Sequence, residues 1–414
     1  MSTEVSIYSN PVKPTSIAWR WVRLEEVCEI NPRRVIPSDR DDDAPTTFIP
    51  MAAIDERVGI VARPETKPYG EVKKGYTFFT AGDILFAKIT PCMQNGKHAV
   101  VRETVDGIGF ASTEFHVLRP NPEIACDWIH YFLRQPVVLR AAMAHFAGAV
   151  GQQRVPEGFL ASLEIPLPPL SEQKRIAAII TEQLAAVERA RAAAEAQLEA
   201  ARALPAAYLR AVFNSPEARE WPRMRLEEVA ILERGKFTPR PRNDPRYFGG
   251  PYPWIQIGEV EAANKYIRHH RSTLNDLGLS VSKMFPKGTL VISIAASIGA
   301  VGILGFDSCM PDSLVGITPR TDLSDSEFLY YMLILAREHL ESIAPQMAQA
   351  NLKLAMLNPL EIFLPPLVEQ KRISLILNER LAAVDRVRKS LEDELAAINT
   401  LPAALLQEAF NGEL

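Results

Sequence analysis

With 414 residues, 47% of them hydrophobic and 23% charged, and a formal net charge of −4, the chain has a soluble globular composition and too many residues for one core. These values exclude a disordered chain and a uniformly basic nucleic-acid binder, although charge gathered on one face remains compatible with the total. Cys28, Cys92, Cys126 and Cys309 form no CxxC pair, which excludes a zinc ribbon and fits a reducing, cytoplasmic setting; no signal-peptide pattern is expected.

A first module opens near Trp19 with Arg23-Leu24-Glu25-Glu26-Val27, and a second opens with Trp221 and Arg225-Leu226-Glu227-Glu228-Val229. Phe48-Ile49-Pro50-Met51 lines up with Trp254-Ile255-Gln256-Ile257, each read as a strand leaving a loop. Gly82-Asp83-Ile84-Leu85 lines up with Gly288-Thr289-Leu290-Val291, a glycine turn feeding an apolar strand. The uncharged run Leu290 to Phe306 has 17 residues, short of the ~20 needed to cross a bilayer, and reads as two buried strands around a turn. Helices are expected over Cys126 to Arg140 and Ser326 to Ile343. Each is followed by a Gln-containing loop and a closing strand. Loops differ between the modules while the framework repeats, so both modules are expected to do the same job on different targets.

After each module comes the same box. Ile165-Pro166-Leu167-Pro168-Pro169-Leu170-Ser171-Glu172-Gln173-Lys174-Arg175-Ile176 returns 197 residues later as Ile362-Phe363-Leu364-Pro365-Pro366-Leu367-Val368-Glu369-Gln370-Lys371-Arg372-Ile373. A repeat of this size comes before any local assignment. Residues 172–203 then read as a helix of about 48 Å, with Pro205, and Pro402 in the second copy, expected to stop it. A seam is expected at Ile176, Ile180, Val187, Ala190, Ala194, Ala201 and Leu204, against Ile373, Leu377, Val384, Val387, Leu391, Ile398 and Leu401. Two such arms related by a pseudo-two-fold run antiparallel and act as a ruler between modules ~40–50 Å apart, near one to one and a half turns of duplex. Residues 172–203 hold five acidic and five basic side chains, which suits protein contacts better than phosphate. Leu170, Glu172, Gln173, Lys174 and Arg175, with Leu367, Glu369, Gln370, Lys371 and Arg372, are therefore the candidate partner contacts.

Signatures of catalysis are missing: no GxGxxG follows a strand, and neither a P-loop nor HExxH occurs. Asp244-Pro245-Arg246-Tyr247 superficially resembles the Asp/Asn-Pro-Pro-aromatic loop of amino-methyltransferases, but Arg246 replaces a proline, and a simple turn is expected. No metal site is expected either. Basic clusters are the positive signal. Residues 234–271 carry eight basic and three acidic side chains, among them Lys236, Arg240, Arg242, Arg246, Arg268 and Arg271, which suits phosphate neutralisation. In the first module Lys88, Gln94, Asn95, Lys97 and His98 are read on a turn between strands, where Asn and Gln suit adenine edges and Lys suits guanine. Gln152, Gln153 and Arg154, and in the second module Gln349, Asn351 and Lys353, complete the DNA-binding candidates. The acidic stretch Asp39 to Asp43 is expected to face away.

Two variable modules, each followed by Leu-Pro-Pro-Leu-x-Glu-Gln-Lys-Arg-Ile and a long helix, resemble the specificity subunit of a Type I restriction–modification system, from Trp19 to Leu414. The resemblance implies an α+β chain of two α/β target recognition domains with twisted β-sheets, separated by two long antiparallel helices forming a coiled coil. The expected boundaries are 15–165 and 215–361 for the recognition domains, and 166–214 and 362–414 for the helical arms. Each domain would read one half of a bipartite, asymmetric sequence in double-stranded DNA. The arms would set the spacer and dock two modification subunits, with no membrane involved. This chain would bind no cofactor. S-adenosylmethionine would belong to the modification subunits, and ATP and Mg to the motor–nuclease (restriction) subunits. The alternative is a coiled-coil scaffold that never touches DNA.

Overall fold

The computed structural model describes residues 19–35, 39–149, 151–343 and 352–414. By their internal contacts they fall into two units, one of residues 1–195 with 393–414 and one of residues 196–392.

In the first unit the glycine turn works as its sequence implies. Gly82 sits at φ +91°, in the left-handed region that glycine enters without a Cβ clash, and hands the chain to the buried strand Ile84–Ala87. That strand lies second from one edge of an antiparallel sheet, in the order Cys28–Ile30, Phe115–Pro120, Ile84–Ala87, His98–Val100. A second sheet orders Glu65–Pro68, Pro45–Ile49, Ile108–Ala111 and Thr77–Thr80, with one parallel pair. The module is closed by Arg20–Arg23 pairing with Glu164–Leu167, which places the box beside the module's first strand.

The second unit repeats the plan. Gly288, at φ +87°, feeds Leu290–Ser293, the middle strand of five in the order Ala230–Arg234, Leu314–Pro319, Leu290–Ser293, Val301–Leu304, Tyr266–Ile267. Arg223–Arg225 pairs with Glu361–Phe363 at the closure. Leu290 to Phe306 is thus two antiparallel strands around a turn, as its periodicity implies. The expected helix over Cys126 to Arg140 is two helices, Cys126–Leu133 and Pro136–Ala144, because Pro136 cannot continue the first and instead begins the second.

Both arms run past their prolines. They are single helices, Leu170–Phe213 with Pro205 inside and Leu367–Asn411 with Pro402 inside. An internal proline costs ~3 kcal/mol or more. Here Leu209 and Phe213 beyond Pro205 are buried in the second unit's core, and Leu406, Ala409 and Phe410 beyond Pro402 in the first unit's. At ~1.5–3 kcal/mol per buried large apolar side chain, that burial outweighs the lost hydrogen bond.

Within the first unit the arms are antiparallel: Arg175 Nη2 donates to the Leu414 carbonyl at 2.9 Å, and Arg191 Nε to Asn399 Oδ1 at 2.8 Å. The second unit has the same sense, with Arg380 over the Tyr208 ring and Ile373 in one core with Phe213. The expected seam is buried at Ile176, Ile180, Val187, Ala194 and Ala201, and at Ile373, Leu377, Val384, Leu391 and Ile398, but not at its four other positions. Val387, Leu204 and Leu401 are 51%, 38% and 43% exposed, and Ala190 also faces out. Arg191, 6% exposed, fills the seam position, where Glu188 and Asn399 satisfy its guanidinium. A buried polar pair of this kind favours one register over its apolar alternatives.

Candidate nucleic-acid interface

In each unit a buried glutamine ties the module to its arm. Gln173 is fully buried. Its Oε1 accepts from Ala125 N at 2.8 Å, and its Nε2 donates to the carbonyls of Glu123 at 3.1 Å and Pro168 at 2.9 Å. Gln370 makes the same three bonds, to Asp325 N (2.9 Å), the Leu323 carbonyl (2.9 Å) and the Pro365 carbonyl (2.8 Å). Both residues were expected among the outward partner contacts, and that is corrected: each clamps the loop before a module helix onto the first turn of its arm. The rest of each box lies outside this clamp. Arg175 pairs with Glu172 and Arg372 with Glu369, each at three residues' spacing, while Lys174 and Lys371 are exposed and Leu170 and Leu367 half-buried.

Three loops of the first module converge around Lys88. Its N–H donates to the Glu114 carbonyl and its carbonyl accepts from Val155 N, both at 2.9 Å, while Thr90 N donates to the Gln153 carbonyl. Arg154 is held there in two-pronged fashion, Nε and Nη2 on the Glu114 carboxylate at 2.8 and 2.7 Å. That guanidinium holds the Glu114 carboxyl below its ordinary range, with Lys88 adding to the effect. Gln94, Asn95 and Gln152 are exposed.

Two first-module candidates are corrected. Lys97 turns inward and spends its ammonium on the carbonyls of Met51 and Ile54 and on Glu56. His98 is 1% exposed on a strand buried on both faces, its ring against Phe86 and His130. Neither is available to a duplex.

In the second module the same place is built from different residues. Ile294 N donates to the Ser313 carbonyl, and Leu352 N to the Ile294 carbonyl, so Ile294 stands where Lys88 stands. The cations come from the neighbouring loop. Arg242 Nη2 lies 2.5 Å from Asp312 Oδ1, Arg240 Nη2 lies 3.8 Å from Oδ2, and Arg234 Nε donates to the Asp312 carbonyl. Lys236, exposed, is anchored through its own N–H to the Met310 carbonyl. Arg246 pairs with Asp244, which caps the turn Pro245–Tyr247, so the methyltransferase-like stretch is a turn.

The basic run 234–271 is therefore two groups. Arg268 and Arg271 follow the edge strand Tyr266–Ile267, at the opposite edge of the five-stranded sheet from Ala230–Arg234. Four strand spacings of ~4.8 Å separate those edges by roughly 19 Å. Lys353 is exposed, and Gln349 and Asn351 lie outside the described residues. The residues that sequence reading passed over are Glu114 and Asp312, while Arg234 was counted in the basic run but not among the DNA-binding candidates. For Glu114 and Asp312 the available signal was their position in the turn that precedes each framework strand, whereas Arg234 reaches that turn only because its strand pairs with Leu314–Pro319.

Comparison with known proteins bears on this arrangement. The model of the type I restriction modification DNA specificity domain matches twice, over residues 17–199 and 218–396. The chain belongs to that family. Among relatives of the specificity-domain family, the type I restriction enzyme EcoEI specificity subunit of Escherichia coli is 40% identical over 159 residues. That match covers 38% of this chain and 26% of that subunit, so only about a quarter of the relative's length is represented. The HsdS subunit from Thermoanaerobacter tengcongensis shares the fold with a TM-score of 0.67 and 25% identity, over 99% of each chain. A chain from a structure concerning complex assembly and conformational transition of the type I R-M system superposes with a TM-score of 0.77 at 26% identity, over 98% of this chain and all of that one. Two repeated domains joined by long helices are thus the family's architecture, and no helix among the described residues is long and apolar enough to cross a membrane.

Proposed function

We propose that this chain is the DNA-recognition subunit of a type I restriction–modification complex and performs no catalysis itself. The observation that carries the reading is the equivalence of the two loop clusters. Around the framework position shared by Lys88 and Ile294, the first module places Lys88 with Arg154, and the second places Arg234, Arg240 and Arg242 from a neighbouring loop. A fixed frame with exchanged basic side chains suits two readers of different half-sites in double-stranded DNA. The arms, 44 and 45 residues without a break, serve as spacer and as the docking face for two modification subunits. S-adenosylmethionine belongs with those subunits, ATP and Mg with the restriction subunits, and the assembly works in the cytoplasm.

Filter binding by the assembled complex tests the reading. Retention of duplex is expected to fall steeply as salt rises, because displaced phosphate counterions drive such binding. Salt-independent retention, or none, would favour a scaffold that never touches DNA. Sequencing the methylated positions in DNA modified by the complex is expected to return two half-sites and one spacer. Inserting four residues, close to one helical turn, into the first arm should then change the tolerated spacer and leave both half-sites intact. An unchanged spacer rejects the ruler.

A further inference from the structure

Both loop clusters contain a carboxylate in the same turn of the fold. Glu114 ends the turn between Ile108–Ala111 and Phe115–Pro120, and Asp312 lies in the turn between Ser308–Cys309 and Leu314–Pro319. Each is outnumbered by cations. Arg154 and Lys88 surround Glu114, and three arginines converge on Asp312. The pairs are not core ion pairs, since the side chains of Glu114 and Asp312 are 26% and 33% exposed.

We propose that Glu114 and Asp312 are specificity-determining residues, one for each half-site; this rests on the recognition reading above. Each carboxylate fixes the orientation of guanidinium groups that would otherwise sample many rotamers. Glu114 takes the Nε and Nη2 edge of Arg154 and the Gln152 carbonyl takes Nη1, which leaves two of the ~five N–H donors of a guanidinium for a base edge. A fixed guanidinium can engage guanine O6 and N7 together, whereas a mobile one settles on any phosphate. The carboxylate also repels phosphate. An incorrect duplex, which offers only its backbone, therefore meets a partly neutralised cluster, and a correct one gains contacts from a preset donor pair.

The test uses the assembled complex with Glu114→Gln and Asp312→Asn, which remove the charge and keep size and hydrogen-bonding capacity. Methylated-position sequencing should show Glu114→Gln relaxing one half-site only and Asp312→Asn relaxing only the other. Filter binding to an unrelated duplex should tighten roughly threefold to tenfold, with a salt slope steeper by about one. Thermal unfolding should be unchanged, because both residues are at the surface. Unaltered half-site sequences would overturn the proposal, as would a uniform change in affinity for every duplex or a large loss of thermal stability. A complex with unsubstituted Glu114 and Asp312 that shows no sequence preference would instead refute the underlying recognition reading.

Discussion

Replacing Gln173 by leucine is expected to destabilise the first unit by roughly 3–5 kcal/mol, far more than any substitution of its exposed neighbours. Leucine fills a similar volume, so the loss is in hydrogen bonding. Ala125 N and the carbonyls of Glu123 and Pro168 lose the partner each now has, around a side chain that is itself fully buried. Each orphaned buried group costs about 1–3 kcal/mol, reduced where a water can enter. Gln370→Leu should do the same in the second unit, through Asp325 N and the carbonyls of Leu323 and Pro365. Lys174→Ala, on the exposed face of the same turn, should stay within about 0.5 kcal/mol. Denaturant unfolding of the full chain compares the three; equal effects of Gln173→Leu and Lys174→Ala would show that the clamp is not what holds module to arm.

The second large effect is acid instability confined to the first unit. His98 and His130 are buried with ring centroids 5.4 Å apart, and neither His98 Nε2 nor His130 Nδ1 has a hydrogen-bond partner. The charged groups nearby are Arg134, at the end of helix Cys126–Leu133, whose Nη2 donates to the Glu56 and Arg57 carbonyls, and Arg102, in the loop after strand His98–Val100, which pairs with Asp127. Burial pushes the His130 imidazole down to about 3, with Arg134 and then Arg102 adding to the effect. Burial, then His130 and Arg134, lowers His98 in the same sense.

A base whose folded pKa is depressed is neutral in the native state while the unfolded chain takes up the proton. Stability is therefore complete above an unfolded value near 6.5, falls as pH drops through it, and goes on falling towards 3. At pH 5 the His130 contribution alone is about 2 kcal/mol. In the second unit Tyr330 occupies the helix position corresponding to His130, and the histidines whose side chains are described there, His269 and His270, are exposed. Calorimetry at pH 7.5 and 5.0 should thus move one transition down and leave the other nearly in place, with His130→Leu removing part of the shift. Two transitions moving together would contradict this assignment.

How much of this was legible in the sequence depended on whether the signal was local. The duplicated box, the glycine turns and the paired apolar strands were readable because each is a short-range pattern of backbone chemistry. Gln173 was misread because it sits in a run of four polar residues, Glu172 to Arg175. Yet it lies three residues before Ile176 and seven before Ile180, on the stripe that faces the module. His98 looked like a turn residue because both faces of its strand are covered and no alternation marks a strand buried on both sides, while Lys97, just before that strand, gave no sign that its ammonium turns inward. The seam was misplaced at Ala190 for a similar reason: alanine carries too little hydrophobic signal to mark one position, and the residue that enters the seam beside it is an arginine. The basic run 234–271 looked like one patch because sequence distance says nothing about which sheet edge a loop leaves.

Residues 393–414 complete the first unit although they follow the whole of the second in sequence. The Phe410 ring packs 4.3 Å from that of Trp128, between residues nearly three hundred positions apart. The ribosome delivers the beginning of the first unit earliest, but its core must wait for the last arm to emerge. The second unit is one contiguous stretch and has no such wait. A nascent chain halted after residue 392 therefore holds a finished second unit and a first unit with Trp128 still uncovered. The two units are completed in the reverse of the order in which their synthesis begins.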